Sequence, residues 1–371
     1  MLKKLHIKNF KSWEDTGEME MAPITMFFGG NSSGKSSILQ FLLMLKQTAN
    51  SYDKAQMLNF GGKENDIIDF GNFRDVIFNH EIDRVLEFDI DENVDTWPRF
   101  LKAEVTYKSD KISAKISHKN LPEPKTKLSL ASCLTGLNSM ESIEYLGPLR
   151  QFPKRQYQWK NTSPSTVGKE GEYAIDAILA EKKESILEKK IATALQKMGL
   201  VESFRVAQIP TTDLYQILIK KTSASTEVLL PDVGFGVSQI LPVLTSLFYS
   251  PIGSIIILEQ PEIHLHPKAQ TEFADVVVEA VKERKIQVII ESHSEHFLTR
   301  IQTRIAEGTL SKDAAKLYFC KNEIGKSELE ELKIDDSGRI ENWPKDFFGD
   351  MLGEASNRVR AYLDRKKTSK K

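Results

Sequence analysis

Gly29-Gly30-Asn31-Ser32-Ser33-Gly34-Lys35-Ser36 is the stretch that decides the fold. It fits the pattern G-x-x-x-x-G-K-[ST], a loop that cradles phosphates, and its surroundings agree with that reading. The apolar run Ile24–Phe28 before it reads as a strand, and residues 35–47 after it read as a helix. Chemistry explains the residue types. Glycines let successive backbone N–H groups turn inward toward phosphate, and the helix start adds its positive end. Lys35 is placed to reach the β and γ phosphates of a nucleotide, and the Ser36 hydroxyl to ligate Mg²⁺. Residues Gly29, Gly30, Asn31, Ser32, Ser33, Gly34, Lys35, Ser36 and Ser37 are therefore expected to hold the nucleotide.

Further along, Ser254-Ile-Ile-Ile-Leu-Glu259-Gln260-Pro261-Glu262 reads as a buried strand that delivers one acid to the edge of a sheet. A magnesium partner for Ser36 has that form, so Ser36 and Glu259 are the expected metal ligands. The next strand ends Ile290-Glu291-Ser292-His293-Ser294. A histidine just beyond that tip can donate to a γ-phosphate or orient an attacking water. Lys35, Glu259, Gln260 and His293 thus form the expected catalytic set. His264, His266, His293 and His296 have spacings that also suit zinc. No cysteine lies beside them, so they are read as loop histidines that respond to nucleotide and make subunit contacts.

From Pro251 onward the order is strand, helix after Pro267, strand (IQVIIE), helix after Ser294, strand (KLYFC). Such alternation, with continuously apolar strands, predicts a parallel sheet covered by helices. A strand is also expected near Lys4–Ile7. Short alternating runs between Ile67 and His118 (VLEFDI, KAEVTY, KISAKISH) predict antiparallel sheet. Ile175, Leu179, Leu187, Ile191, Leu195 and Met198 recur at helical spacing, with Gly199 as the stop. The uncharged run Val233–Leu258 is longer than the roughly 18 residues that cross a bilayer. Its glycines, serines, Pro242 and Pro251 divide it into a buried helix, a turn and a strand, so no contact with membrane is expected.

With 371 residues, 40% hydrophobic and 28% charged, and a formal net charge of −1, the chain is not drawn as a whole to nucleic acid or anionic lipid. Cys133 and Cys320 are its two cysteines, which excludes a disulfide framework and suits a reducing cytoplasm. Basic and aromatic residues mix in Arg150-Gln-Phe-Pro-Lys154-Arg155-Gln-Tyr157-Gln-Trp159-Lys160. That stretch could hold phosphates and stack bases, or fill a groove on another subunit, and both readings stay open. The tail Arg365–Lys371, with five basic residues in seven, reads as a solvated end.

On these motifs the chain resembles the ABC-type ATPases of the RecF/SMC/OLD group over essentially its whole length. Leu5-His-Ile-Lys-Asn-Phe-Lys11-Ser12 is similar to the group's opening strand and turn, which implies that Lys11 approaches the nucleotide. Glu259-Gln-Pro-Glu-Ile-His-Leu-His-Pro267 resembles the box that joins the acidic strand tip to the subunit-contact loop. Glu291-Ser-His-Ser294 resembles the switch, and Tyr145-Leu-Gly-Pro-Leu-Arg150 is a further mark. Val233-Gly-Phe-Gly236-Val-Ser238-Gln-Ile-Leu-Pro242 stands where the group has its signature, which implies that Gly236 and Ser238 meet the nucleotide of a partner subunit. Gly338-Arg-Ile-Glu-Asn-Trp-Pro-Lys-Asp-Phe-Phe348 is similar to a short C-terminal module of one subfamily, found in anti-phage systems such as Septu and related retron modules.

The resemblance implies an α/β fold: an ABC-type P-loop ATPase head with a mostly parallel core sheet, an antiparallel β subdomain at about 60–125 and a helical insertion at about 160–202. The head would occupy 1–325 and a small module with the basic tail 326–371. Expected cofactors are ATP and Mg²⁺. Expected partners are a second copy, giving a homodimer or higher oligomer through composite ATP sites, and a nearby effector, a nuclease; contact with nucleic acid is left open. The alternative is a RecF-like repair ATPase acting directly on DNA. A self-contained nuclease of OLD type would need an acidic metal-binding domain after His293, for which Asp335-Asp336 is thin. Heptads for an SMC-type tether are not seen. Gln260 departs from the group's second acid, and an amide cannot take a proton from water, so either hydrolysis is slow or Glu262 or His293 substitutes as the base.

Overall fold

Every position of Ile255–Glu259 and Gln287–Glu291 is buried, as continuous apolar strands require when helices cover both faces of their sheet. The computed structural model describes residues 1–53, 56–63, 66–94, 97–109, 111–121, 129–181, 186–344 and 347. Its strands are β1 (Leu2–Phe10), β2 (Trp13–Glu20), β3 (Ile24–Gly29), β4 (Leu86–Val94), β5 (Trp97–Lys108), β6 (Lys111–Lys119), β7 (Ile143–Leu146) and β8 (Tyr157–Gln158). Then come β9 (Ser203–Gln208), β10 (Leu214–Lys220), β11 (Val228–Leu229), β12 (Ile255–Glu259), β13 (Gln287–Glu291), β14 (Ala315–Glu323) and β15 (Lys326–Glu331). The helices are α1 (Lys35–Ala49), α2 (Phe73–Val76), α3 (Leu130–Thr135), α4 (Asn138–Glu141), α5 (Ala174–Ala180), α6 (Ile186–Lys197), α7 (Phe235–Tyr249), α8 (Pro267–Arg284) and α9 (Glu295–Ala306).

The central sheet has the order β15-β14-β3-β13-β12-β7. Its strands run parallel except β15, which returns antiparallel on β14. The phosphate-loop strand β3 therefore has β13, not β12, as its neighbour. Side chains alternate across this sheet. Ile256, Leu258, Val288 and Ile290 enter the core shared with α7, α8 and α9. Ile255, Ile257 and Ile289 enter the core shared with α1. By that alternation the next residues, Glu259 and Glu291, come out on the α1 face, and they are register partners.

The antiparallel sheet has the order β2-β1-β4-β5-β6. VLEFDI, KAEVTY and KISAKISH lie in β4, β5 and β6 as expected, but the N-terminal strands complete the same sheet. Residues before β4 contribute loops and the short α2 instead of strand. Strand β2 is illegible by simple alternation. Trp13, Thr16 and Met19 are its buried positions, three apart, because Gly17 sits at φ 67° and the β1–β2 register shifts between His6 and Lys8. The helical stretch appears as α5 and α6, and an unforeseen smaller sheet joins β8 before it to β9, β10 and β11 after it. The run Val233–Leu258 is α7, a turn and most of β12, as read from sequence. Among the described residues no helix is long and apolar enough to cross a membrane.

The expected division after residue 325 falls at the tip of the β14–β15 hairpin, so β15 is an edge strand of the central sheet. Beyond it, Phe347 packs edge-on against Phe28, Phe319 and Trp343, at ring-centroid distances of 5.7, 4.8 and 5.1 Å. Phe348 and the basic tail lie outside the described residues.

A buried glutamine is one of the ties between the two large sheets. Gln287 accepts from Leu2 N and donates to Leu2 O and Ala22 O, each at 2.9 Å. Gln287→Leu would take this partner from the Leu2 N–H and the Leu2 carbonyl, while the Ala22 carbonyl keeps the Thr25 hydroxyl. The substitution is expected to destabilise the chain by about 3 kcal/mol in urea unfolding, each orphaned group costing ~1–3 kcal/mol. Unchanged stability would remove this tie from the account.

Candidate nucleotide site

The phosphate loop is shaped by close backbone approaches. Gly29 has φ 140°, and a Cβ there would lie 2.2 Å from the Cys320 carbonyl oxygen on the neighbouring strand β14. Gly34 has φ 95°, and a Cβ there would meet the Trp13 ring at 2.9 Å and Ser327 Oγ at 2.6 Å. Trp13 Nε1 donates to Gly34 O at 3.0 Å, and Ser327 Oγ donates to Ser12 Oγ at 2.7 Å. Only glycine fits either place, so both ends of the motif are held by elements distant in the chain.

Lys35 is buried, and its ammonium donates to the carbonyls of Gly30 at 2.7 Å and Gly29 at 3.2 Å. Glu291 Oε1 lies 3.7 Å from it. Ser36 Oγ donates to Glu291 Oε2 at 2.7 Å. A cavity of about 240 Å³ opens here, lined by Asn31, Ser32, Ser33, Gly34, Lys35, Ser36 and Ser37 together with Ser12, Gln260, Glu291 and His293. The residues fit a nucleoside triphosphate with its cation. Hydroxyls and an ammonium face one small polar space, the tight loop around it excludes a Cβ at Gly29 and Gly34, and the buried Ser33 Oγ has no hydrogen-bond partner among the described residues. Mg²⁺ would find hard oxygen donors in Ser36 and at the tips of the strands beside it, where it would neutralise phosphate charge; of the two tip acids, Glu291 lines the cavity.

Glu259 is held from two sides. Tyr145 donates its hydroxyl to Oε1 at 3.0 Å, and Arg150 Nη2 donates to the Glu259 carbonyl at 3.1 Å. Burial, together with the nearby Glu291 carboxylate, pushes the Glu259 carboxyl up to about 7. Gln260 follows in a left-handed turn with φ 44°, its N–H donating to Glu291 O at 2.8 Å. The motif Tyr145–Arg150 thus fixes the tip of β12. Arg150 is itself buried, and desolvation brings its guanidinium down to about 10. The nearby carboxylate of Glu262 opposes that shift and is itself raised by burial. Glu262 Oε1 accepts from Ser292 Oγ at 2.7 Å and from His293 N at 2.8 Å, which couples the β12 turn to the β13 switch. Burial and then the Lys35 cation lower the His293 imidazole below its ordinary value, so at neutral pH it is uncharged and can both donate and accept.

Not every expected residue reaches this space. Lys11, in a left-handed conformation, points its ammonium at Gln40 Oε1 (2.7 Å) and over the Phe70 ring (4.1 Å), outside the cavity wall. Burial lowers its pKa, and Glu259 opposes that. Its neighbour Ser12 lines the cavity instead. Gly236 and Ser238 lie at the start of α7, away from this chain's own phosphate loop. Gly236 packs under the His264 carbonyl, and Ser238 Oγ turns back to Phe235 O at 2.8 Å. Among the described residues no group of three or more His, Cys, Asp or Glu side chains could hold a metal, and His264 instead packs edge-on against Phe235 at 4.9 Å. Glu291 was not singled out for a role from sequence. Its signal was an acid ending a buried apolar strand, the same feature that marked Glu259.

This sheet order, with a phosphate loop on one strand and acids at the tips of the next two, defines an ABC-type P-loop ATPase head. The chain belongs to the AAA ATPase domain family, whose pattern matches residues 1–131 and 154–298. A second family, Protein of unknown function (DUF3696), matches residues 310–356. An OLD nuclease of Thermus scotoductus is 23% identical over 330 residues, covering 80% of this chain and 60% of that protein. The chain thus spans less than two thirds of that relative. In fold it is similar to an SMC head bound to the C-terminal winged-helix domain of ScpA, with TM-score 0.58, 16% identity, 91% of this chain and 98% of that one. It is likewise similar to a Pyrococcus furiosus SMC head with an extended coiled coil, bound to the C-terminal domain of ScpA, with TM-score 0.56, 12% identity and coverage of 90% and 96%.

Arg150→Met would leave the Glu262 carboxylate buried without its countercharge, and is expected to cost about 3 kcal/mol at pH 8. Glu262 has a raised folded pKa, which the substitution raises further. The folded state then binds more protons than the unfolded one, and stability falls as pH rises. The loss measured by urea unfolding should therefore be smaller at pH 5 than at pH 8. An equal loss at both pH values would contradict the pairing.

Proposed function

We propose that the chain is an ATP-gated switch: two copies close around ATP and Mg²⁺, and the closed state controls a partner effector, a nuclease, in bacterial anti-phage defence. The observation that carries the nucleotide part is the single polar cavity onto which the phosphate loop, Gln260, Glu291 and His293 all converge. On binding, the Lys35 ammonium would exchange the carbonyls of Gly29 and Gly30 for phosphate oxygens. His293, uncharged, would donate to phosphate or orient water. Gln260 stands where a general base is expected and its amide cannot take a proton, so turnover is slow and the closed state long-lived.

Dimer formation is supported by the surface around the start of α7. Phe235 and Phe152 are exposed there beside Gly234 and Gly236, with Phe235 packed on both Phe152 and His264. ATP held between that surface and the phosphate loop of a second copy stabilises the closed pair, and hydrolysis releases it. A nuclease effector is supported by the relatedness to an OLD nuclease, and a defence setting by the resemblance of the sequence motif Gly338–Phe348. A second reading, a RecF-like repair ATPase acting directly on DNA, is favoured by one observation. Lys154, Lys160 and Tyr157 line an open cavity of about 530 Å³, together with the carboxylates of Glu172 and Asp176, where phosphates could meet the lysines and a base the tyrosine.

Lys35→Ala should weaken ATP binding about a hundredfold in calorimetric titration, the worth of two charge-assisted hydrogen bonds. It should also abolish ATP-dependent dimers in native mass measurement. Unchanged affinity would defeat the assignment. Gln260→Glu should raise steady-state hydrolysis by about a hundredfold, the usual contribution of a positioned base. A wild-type rate already equal to that of the Glu variant would show that Gln260 does not limit turnover. Co-purification with a neighbouring nuclease supports the switch, whereas tight binding of gapped DNA by the chain alone favours repair.

A further inference from the structure

Ser36 and the acid expected to share its cation are not in contact. The hydroxyl of Ser36 is bonded to Glu291 Oε2 at 2.7 Å, and the other oxygen of that carboxylate faces the Lys35 ammonium at 3.7 Å. Glu291 lines the phosphate cavity and Glu259 does not. In the sheet β13 lies between β3 and β12, so the acid at the tip of β13 is the one beside the phosphate-loop strand. The side chain and carbonyl of Glu259 are already engaged by Tyr145 and Arg150.

We propose that Glu291, paired with Ser36, is the carboxylate that holds the divalent cation of the bound nucleotide, and that Glu259 positions the β12 turn behind it. The inference rests on the nucleotide reading above and deepens it by naming which acid serves the cation. Mg²⁺ commonly takes one or two carboxylates plus substrate phosphates and keeps several waters, which suits one acid on the loop side and a second set back from it.

The test is calorimetric ATP binding to the full chain with Mg²⁺ and with EDTA, with Mn²⁺ binding read by electron paramagnetic resonance in the presence of ATP. In wild type, Mg²⁺ should tighten ATP binding by at least tenfold, within the range by which metal-supporting groups act. Glu291→Gln should lose that gain and the Mn²⁺ signal. Its metal-free affinity should be equal or higher, because a negative charge beside the phosphates is gone. Glu259→Gln should keep the gain to within about threefold, since its effect on the cation is indirect. Glu291→Asp, which retains a carboxylate on a shorter stem, should recover part of the gain, and this separates a lost ligand from a damaged fold. The proposal is overturned if Glu291→Gln keeps the full Mg²⁺-dependent gain, or if Glu259→Gln alone removes it. Wild type that binds no ATP with or without metal would instead overturn the nucleotide reading beneath it.

Discussion

The site depends on parallel register at the centre of one sheet. Phe27, Glu291 and Glu259 stand side by side on β3, β13 and β12, and alternation turns both acids toward the helix that begins at Lys35. Two carboxylates in a buried place repel each other, and the pair persists because cations and donors meet them. Lys35 and Ser36 face Glu291, while Tyr145 and the Arg150 guanidinium hold the Glu259 end. A one-residue slip of β13 would turn Glu291 to the opposite core and leave Lys35 with only its loop carbonyls.

That register is secured from far away in sequence. Strand β14 presses the Cys320 carbonyl against Gly29, Ser327 of β15 binds Ser12, and the Trp13 ring closes over Gly34. The C-terminal segment that matches DUF3696 therefore supplies two strands to the sheet that carries the nucleotide loop. At the other end of the site, Glu262 links the β12 turn to His293 through backbone and hydroxyl donors. A change at the phosphates can thus be felt in the loop that leads to α8 and His264, next to the exposed Phe235 surface.

Much of this was legible because function and burial write local patterns. The phosphate loop needs glycine at two fixed places, buried parallel strands need unbroken Ile and Val, and both signals survive without tertiary information. The neighbour relations did not show. Sequence order puts Glu259 nearest to Ser36 among strand-tip acids, whereas the sheet inserts β13 between them. Strand β2 hid because its bulge spaces the buried Trp13, Thr16 and Met19 by three. Strand β15, KSELEE, hid because an edge strand buries only one face, leaving its charged residues to be assigned to the separate C-terminal module. The placement of Lys11 also needed the fold, since its ammonium is claimed by Gln40 and Phe70.

The most direct measurement is a crystal structure of the chain with Mg²⁺ and a non-hydrolysable ATP analogue. The account predicts triphosphate wrapped by residues 29–36, the Lys35 ammonium moved from its loop carbonyls onto phosphate oxygens, and both strand-tip acids on the cation side of the nucleotide. Phosphates bound elsewhere, with Lys35 still on the carbonyls of Gly29 and Gly30, would contradict it.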